Sequence, residues 1–458
     1  MTSFSDWGVG SLKETLSKAK QILLKYRLCN RCLGRLLDSN RPGLESLNKG
    51  ESIKAELLEE ARSLLDRHPE EAMSLVKALS ESGYRPAQDE ALHHGLEIDR
   101  KTCPICFDRF TDEVVDAVVA EAVRRVSGYE FEDFLVGAYV PKYIVAIEER
   151  IFSEFGLTES ETLRKEVTRE VGMRLEAVLG KPANFTSPEM LILVDIFTGT
   201  AEAKPAPLYI YGHYLKSRVD IPQTPWYCSS CWGAGCEKCG GLGRVYPGSV
   251  AEYVGEPAMR LAGAIGYKFH AAGREDVDVT VEGTGRPFIV ELIMPRRRKI
   301  SLEALKEEIK RHSEGRVEVE GLKTATRNDL KMLKEAIEGS AKRYMATVQF
   351  SKPVNSEDLA RLEASLRGAV IEQQTPTRVL KRRGERLRRK RILNIESRLI
   401  DSYTVELYVE ADGGLYVKEL IHGDSGRTRP SIAEILDNPP ASIRLKFLGV
   451  LKTLHHAK

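Results

Sequence analysis

Eight cysteines, falling into four C-x-x-C pairs, are the residues of this 458-residue chain whose spacing most clearly suits chemistry: Cys29/Cys32, Cys103/Cys106, Cys228/Cys231 and Cys236/Cys239. A three-residue step lets two thiolates reach one tetrahedral ion, and two such pairs complete a four-sulfur shell. Structural disulfides are rare inside cells, and four pairs exceed what one redox motif needs, so the pattern predicts metal. Cys228, Cys231, Cys236 and Cys239 fall within 12 residues, with Gly233 and Gly235 at the bends, as a compact knuckle. The two N-terminal pairs lie 71 residues apart, counted from Cys32 to Cys103, so an ion there would staple one domain across a long loop. Neither set contains a His, an Asp or an open position, so both read as structural, with two Zn2+ expected. A second chemistry is electrostatic. The net charge of +2 names no partner, but Lys381–Arg391 holds eight basic residues against one acid, and Pro295–Lys299 adds four more. Local positive charge in a balanced chain suits a protein that grips a polyanion at a defined place.

The elements that must position these residues are legible in outline. Helical spacing of apolar residues predicts helices over 11–35 and about 52–82. A clearer one covers 158–180, with Thr158 and Glu161 as a capping box and Gly180 and Pro182 as its stop. Met190–Phe197 and Leu208–Tyr214 read as strands, and the knuckle with Gly240, Gly241 and Gly243 reads as a hinge between two halves. Beyond residue 245, Val277, Val279 and Val281 alternate with Asp276, Asp278 and Thr280 as a strand with one polar face. Phe288–Ile293 follows as a second strand after a Gly285–Pro287 turn, and Ser301–His312 as a helix. Tyr344–Phe350, a helix capped near Asn355 and ended by Gly368, and Ala369–Gln373 make a β-α-β unit. Tyr403–Val409 and Leu415–Val417 flank Asp412-Gly413-Gly414 as a hairpin. The fold class expected is α+β, with a mixed sheet flanked by helices in the second half.

Composition excludes several classes. With 42% apolar and 30% charged residues the chain can bury a core. Its longest apolar stretches, such as Met190–Val194, fall far short of the ~20 residues that span a bilayer, and Met1–Gly10 lacks the pattern of a signal peptide. A cytoplasmic protein without membrane contact is expected. There is no G-x-x-x-x-G-K-[ST] and no G-x-G-x-x-G after a strand, and Pro104 follows Cys103 without the H-x-E of a zinc deaminase. An enzyme here is expected to use side chains, with no cofactor for catalysis.

The stretch HAAGREDVDVTVEGTGRPFIVEL (His270–Leu292) resembles the catalytic motif of the archaeal and eukaryotic tRNA pseudouridine synthases that modify the TΨC arm. Other segments agree in order. RLCNRCLGR (27–35) resembles that family's first zinc pair, and LYIYGHYLKSRVDIPQTPWYCSSCWGAGCEKC (208–239) the link from its RNA-binding, THUMP-containing half. KRYMATVQ (342–349), QQTPTRVLKRR (373–383), GLYVKELIHGD (414–424) and GRTRPS (426–431) fit the catalytic half. The resemblance implies a zinc-stapled, THUMP-containing tRNA-binding half over 1–245 and a pseudouridine synthase fold over 246–458. It implies isomerisation of uridine 54, uridine 55 or both, with Asp276 as catalytic aspartate. Tyr344 would lie against the target base, Tyr416 at the substrate, Lys418 where a basic residue meets the aspartate, and Leu445 in the pocket lining. Arg274 would displace or hold the flipped nucleotide. Arg378, Lys381, Arg382, Arg383, Arg386, Arg388 and Arg389 would contact RNA; no protein partner is implied.

The chemistry implied is coherent. Pseudouridylation breaks the N1–C1′ bond, turns the base and rejoins it through C5. A carboxylate can attack C1′ or assist proton removal from C2′, and either role needs Asp276 ionised. Burial under a flipped base opposes ionisation and a nearby cation restores it. Two other classes are set against this reading. CSSCWGAG and CEKCGGLG are each C-x-x-C-x-G-x-G, as in a DnaJ-type zinc domain, which would make the chain a non-catalytic tRNA-binding or chaperone-like module; but His68-Pro69 is followed by Glu70. A THUMP-containing methyltransferase or thiolase would need the nucleotide-binding glycines that are missing.

Overall fold

A computed structural model describes residues 9–37, 46–158, 160–380 and 384–451. The chain divides into two compact units, 1–206 and 207–458, and not at residue 245. The reason lies in the sheet: the strand at 208–216 pairs with two strands of the second unit, which carries the 228–239 knuckle with it. The knuckle is therefore an excursion within the second unit and no hinge between halves.

The first unit opens with helices α1 (Val9–Tyr26), α2 (Asn30–Leu37), α3 (Ser46–Leu64), α4 (Pro69–Glu81), α5 (Arg85–His93) and α6 (Asp112–Val126). The expected 11–35 helix is broken at Arg27, whose φ of 48° ends α1. The Arg27 guanidinium donates to Leu23 O at 2.7 Å and pairs with Glu81 at 2.5 Å, and the break turns Cys29 and Cys32 toward Cys103 and Cys106. The expected 52–82 helix divides into α3 and α4, with Pro69 starting the second where its missing N–H is harmless. Then follow β1 (Phe134–Ala138), α7 (Lys142–Phe155), α8 (Leu163–Leu179), β2 (Met190–Asp195) and β3 (Thr200–Pro205). α8 begins later than its pattern suggests: Thr162 is its N-cap, accepting from Lys165 N at 3.3 Å. Glu161 is drawn off to Arg169, so no box forms with Thr158. β2 pairs parallel with β1 and antiparallel with β3, and α6 and α8 cover this small sheet. Its core joins Ile192, Val194, Val167 and Val118 to Cys32, Cys103 and Cys106.

The second unit is a ten-stranded mixed sheet with helices. Its strands are β4 (Leu208–Lys216), β5 (Gly266–Ala271), β6 (Val279–Ile293), β7 (Val317–Ala325), β8 (Lys342–Phe350), β9 (Val370–Gln373), β10 (Arg388–Leu399), β11 (Thr404–Ala411), β12 (Thr428–Arg429) and β13 (Pro440–Val450). The order is β12-β9-β10-β11-β8-β13-β6-β4-β7, with β5 also on β6. Only the β13–β6 pairing is parallel among the described pairs of this sheet. Among the helices, α9 (Val250–Ala262) and α10 (Leu302–His312) pack together, α11 (Arg327–Gly339) lies by β6, and α12 (Ser356–Leu366) covers β10. α13 (Val417–His422) and α14 (Ile432–Leu436) pack near β13 and α12. α10 is capped by Ser301, the first residue of the helix expected there, and α12 by Asn355, where a cap was expected and a capping box forms.

Three expectations change here. The two strands foreseen around Gly285–Pro287 are one bent strand, β6, because its start is held by β13 and its remainder by β4 and β5. Gly283 and Gly285, at φ 61° and 72°, absorb the bend as an irregularity in the ladder. Asp276 and Asp278 do not sit on that strand; both precede it in a loop. Asp412-Gly413-Gly414 is no hairpin turn: it leads from β11 into α13, and Leu415–Val417 forms no strand. Among the described residues no helix is long and apolar enough to cross a membrane.

Candidate active site and metal centres

Asp276 projects from the loop between β5 and β6, and that loop is pinned from both sides. Glu275, 8% exposed, points inward to Arg286 of β6 at 2.8 Å and accepts from the Tyr214 hydroxyl of β4 at 2.7 and 2.9 Å. Gln223 donates to Gly273 O at 2.9 Å, Arg286 to Ala272 O at 2.8 Å, and the buried Lys216 to Val277 O at 3.1 Å. Burial and the neighbouring Glu275 charge push the Tyr214 phenol far up, so it stays a donor. With its neighbours Glu275 and Val277 anchored, Asp276 is left facing outward, its side chain 38% exposed.

Cations converge on it from two distant segments. Arg378, in the turn Thr377–Val379, places Nη1 2.8 Å from Asp276 Oδ2 and Nε 2.6 Å from Glu419 of α13. Burial works against the Arg378 charge, but the Glu419 hydrogen bond and the Glu419 and Asp276 charges prevail and raise its pKa. Lys418 donates to both Asp278 oxygens at 2.6 Å and stands 3.8 Å from Asp276. Sequence reading gave Lys418 to Asp276 and Arg378 to RNA; the structure makes Arg378 the close partner of Asp276 and Lys418 primarily that of Asp278. Burial raises the Asp278 pKa, yet Lys418 and Arg378 prevail and hold it below the ordinary value.

Tyr344 rises from β8 beside Phe447 of β13, ring centroids 5.5 Å apart and edge-on. Burial raises its pKa; the Arg286 charge opposes this, and Glu275 and Asp276 add to it. Leu445, 7% exposed, pairs with Val279 at the start of β6 and Ala346 of β8, which puts it under the same loop. Tyr416 is fixed by the buried Gln373, which accepts from its N–H and donates to its carbonyl, both at 2.8 Å. The Arg388 and Arg378 guanidinium carbons lie 5.6 and 5.9 Å from its ring. Arg274 is exposed, 5.6 Å over the Trp226 ring. In the basic run, Lys381, Arg382 and Arg383 lie outside the described residues. Arg386 is exposed, and its backbone N–H donates to Thr375. Arg389 is paired with Glu372 at 2.9 Å. The run is no helix where described; it enters β10 at Arg388.

Reading the sequence missed Glu275, Arg286, Tyr214, Gln223, Gln373 and Glu419. Glu275 and Arg286 stand inside the quoted catalytic stretch and Glu419 beside Lys418, so local position was the available signal. Tyr214, Gln223 and Gln373 carried none, because their partners are distant in sequence.

The cysteines assemble as their spacing requires. The sulfurs of Cys29, Cys32, Cys103 and Cys106 lie within 4.8 Å of one another, as do those of Cys228, Cys231, Cys236 and Cys239. Sulfur separations of 3.7 and 3.8 Å in the knuckle match the ~3.8 Å edge of a tetrahedron with Zn–S near ~2.3 Å. Backbone N–H groups of Cys236 and Gly243 donate to Cys239 Sγ at 3.2 and 3.1 Å, as a thiolate ligand needs. Both sets could hold a metal ion.

The family model described as "Pus10, C-terminal" matches residues 209–452, and "Pus10 THUMP domain, archaeal" matches 118–195. The "tRNA pseudouridine synthase Pus10" of Thermofilum pendens is 38% identical over 96% of this chain and 96% of its own length. That of Methanothrix thermoacetophila is 36% identical over 95% and 94%. Among solved structures, one titled "Crystal structure of pseudouridylate synthase" matches 55% of this chain and 69% of its own at 13% identity, with a TM-score of 0.19, too low to carry an argument. On the sequence matches alone, the chain belongs to the Pus10 family of tRNA pseudouridine synthases.

Proposed function

We propose that this chain isomerises uridine to pseudouridine in the TΨC arm of tRNA, at position 54, 55 or both, with Asp276 as the catalytic carboxylate. The observation that carries the reading is the bridge from Asp276 through Arg378 to the buried Glu419. An outward carboxylate paired with a fixed guanidinium is placed to attack C1′ or to take the C2′ proton. In the first route the carboxylate–C1′ bond formed as N1 leaves is broken when C5 attacks C1′. In the second the C2′ proton is returned as C5 bonds to C1′. In both the base turns, C5 loses its proton and N1 gains one. Tyr344 would lie against the flipped uracil, Tyr416 and Leu445 would bound the pocket, and Arg274 would hold the nucleotide. Arg386 and Arg388 would meet the backbone, and Arg378, proposed from sequence as an RNA contact, serves the carboxylate instead. The residues before 207 would grip another part of the same tRNA. Both cysteine sets would hold Zn2+ structurally, no cofactor would enter the reaction, and such an enzyme would work in the cytoplasm.

The test is pseudouridine mapping on unmodified tRNA transcript with the parent protein and with Asp276→Ala, without ATP or a methyl donor. Product at 54 or 55 from the parent alone supports the reading. No product from either, with tRNA binding intact, would leave a non-catalytic binding module.

A further inference from the structure

Lys342 begins β8, two residues before Tyr344 and on the same strand face. It is 7% exposed, yet among the described residues no hydrogen bond or ion pair meets its ammonium. The charged groups that act on it are Arg286 of β6 and Lys390 of β10, both cations. The carboxylates on neighbouring elements are already engaged. Glu275 holds Arg286, Glu410 of β11 holds Arg343 at 2.9 Å, and Asp412 accepts from Arg391 N at 2.9 Å. The ammonium packs against the loop that carries Asp276: a Cβ added at Gly273 would lie 3.1 Å from both Lys342 Nζ and Arg286 Nη1, and Gly273 has φ 86°. Lys390 approaches from the other side, over Gly414 in the turn leading to Tyr416. The residue is largely buried but solvent still reaches its ammonium, so an anion can too. An amine whose nearest charges are cations is costly in the free protein, and a ligand that supplies an anion relieves that cost.

We infer that Lys342 and Lys390 form a subsite for a single RNA backbone phosphate next to the target nucleotide. This rests on the tRNA reading above and adds to it a specific anchor, distinct from the exposed arginines of the basic run. Burial and the two flanking cations lower the Lys342 pKa to about 8, so it is mostly charged at neutral pH and an arriving phosphate would hold it so. With the phosphate held by Lys342 of β8 and Lys390 of β10, beside the loop that runs from Gly273 to Asp276, the attached ribose would be delivered toward Asp276.

The experiment uses the full chain and tRNA assembled by ligation, each carrying one neutral methylphosphonate at a phosphate within two nucleotides of the target. For wild type, one substitution is expected to weaken binding about tenfold, as loss of a charged hydrogen bond does. Lys342→Met is expected to lose about tenfold on unmodified tRNA and nothing further on that one substituted tRNA. Its salt dependence should be shallower by about 0.7–0.9, one phosphate's share. Lys342→Arg should recover most of the affinity. The variant should melt no lower than wild type, since it loses an uncompensated charge. Wild-type affinity in Lys342→Met, losses that add at every substituted phosphate, or a lower melting temperature would each overturn the inference. Isomerisation is read in parallel: wild type that binds but makes no pseudouridine sinks the synthase reading alone, while wild type that isomerises with Lys342→Met unaffected sinks only the subsite.

Discussion

Arg378 Nη1 stands 2.8 Å from Asp276 Oδ2, although 102 residues separate the two in the chain. The guanidinium reaches Asp276 in one orientation because Glu419, 1% exposed, takes its Nε at 2.6 Å. A planar fork can serve two carboxylates at a fixed angle; an ammonium cannot. Arg378→Lys is therefore expected to lower kcat about 100-fold, the scale of a 1 Å misplacement, with KM for tRNA changed much less. Glu419→Gln should act in the same direction through Arg378, and Asp276→Asn should leave no turnover. Timed pseudouridine formation under saturating and limiting tRNA separates kcat from KM. An Arg378→Lys enzyme with normal kcat and raised KM would return Arg378 to the role of RNA contact.

Glu275 and Arg286 are each 2% exposed at the side chain, and Arg286 also lies 3.8 Å over the Phe447 ring. Removing one charge leaves the other buried without a partner, a cost of about 3–5 kcal/mol. Glu275→Gln should accordingly destabilise the second unit by that order, whereas Glu275→Met combined with Arg286→Met should cost less than the two singles together. Hydrogen exchange in β4 and β6 during urea unfolding checks this on the second unit alone. Equal, additive losses would mean that the pair is not coupled.

The parts of this molecule that depend on local order were legible, and the parts that depend on distant contacts were not. Cys228–Cys239 closes on itself, and Asn355 caps the helix that follows it, so spacing sufficed. Asp276 was singled out through the family resemblance of the GREDVDV stretch, and in the structure its neighbours Glu275 and Val277 are what the loop is hung from. Alternating valines around Asp276 and Asp278 suggested a strand, but Lys216 and Asp220 take the Val277 carbonyl and hold that segment out of the ladder. Lys418 does stand within ion-pair distance of Asp276, but the closer partner, Arg378, was not foreseen because nothing local distinguishes an arginine that turns inward to Glu419 from its basic neighbours. The domain boundary was placed at the glycine-rich knuckle since the pairing of β4 with β6 and β7 leaves no local mark.

The two cysteine sets differ in what their metal should support. Cys32, Cys103 and Cys106 are buried in the first unit's core, while Cys231, Cys236 and Cys239 are partly exposed in a surface knuckle. Bound metal at the first set is folding energy for that unit, because it closes the long loop between Cys32 and Cys103, 71 positions apart. Cys103→Ser and Cys228→Ser should each reduce zinc from two ions per chain to one by elemental analysis. Only Cys103→Ser should open residues before 207 to limited proteolysis. If both variants are cut there equally, the first site is not the staple.

Lys342 sets a pH dependence whose sign follows from its surroundings. Burial first, and then Arg286 and Lys390, lower its pKa to about 8 from an ordinary 10.5. Glu410, Glu275 and Asp412 face other partners and do not offset this. Below pH 8 the amine is protonated in both folded and unfolded chains, and the folded state carries the full cost. Between about 8 and 10.5 the unfolded chain binds more protons, so stability from this group rises with pH, and above 10.5 the cost is gone. Lys342→Met should therefore stabilise the free protein most at pH 7, by at most about 3 kcal/mol, and the gain should shrink steadily toward pH 10. Comparing wild type with the variant cancels Lys54, whose pKa burial also lowers to about 8. Urea unfolding of both forms at pH 7 and 9.5 gives the difference directly, and a variant less stable than wild type at pH 7 would contradict an uncompensated ammonium at this position.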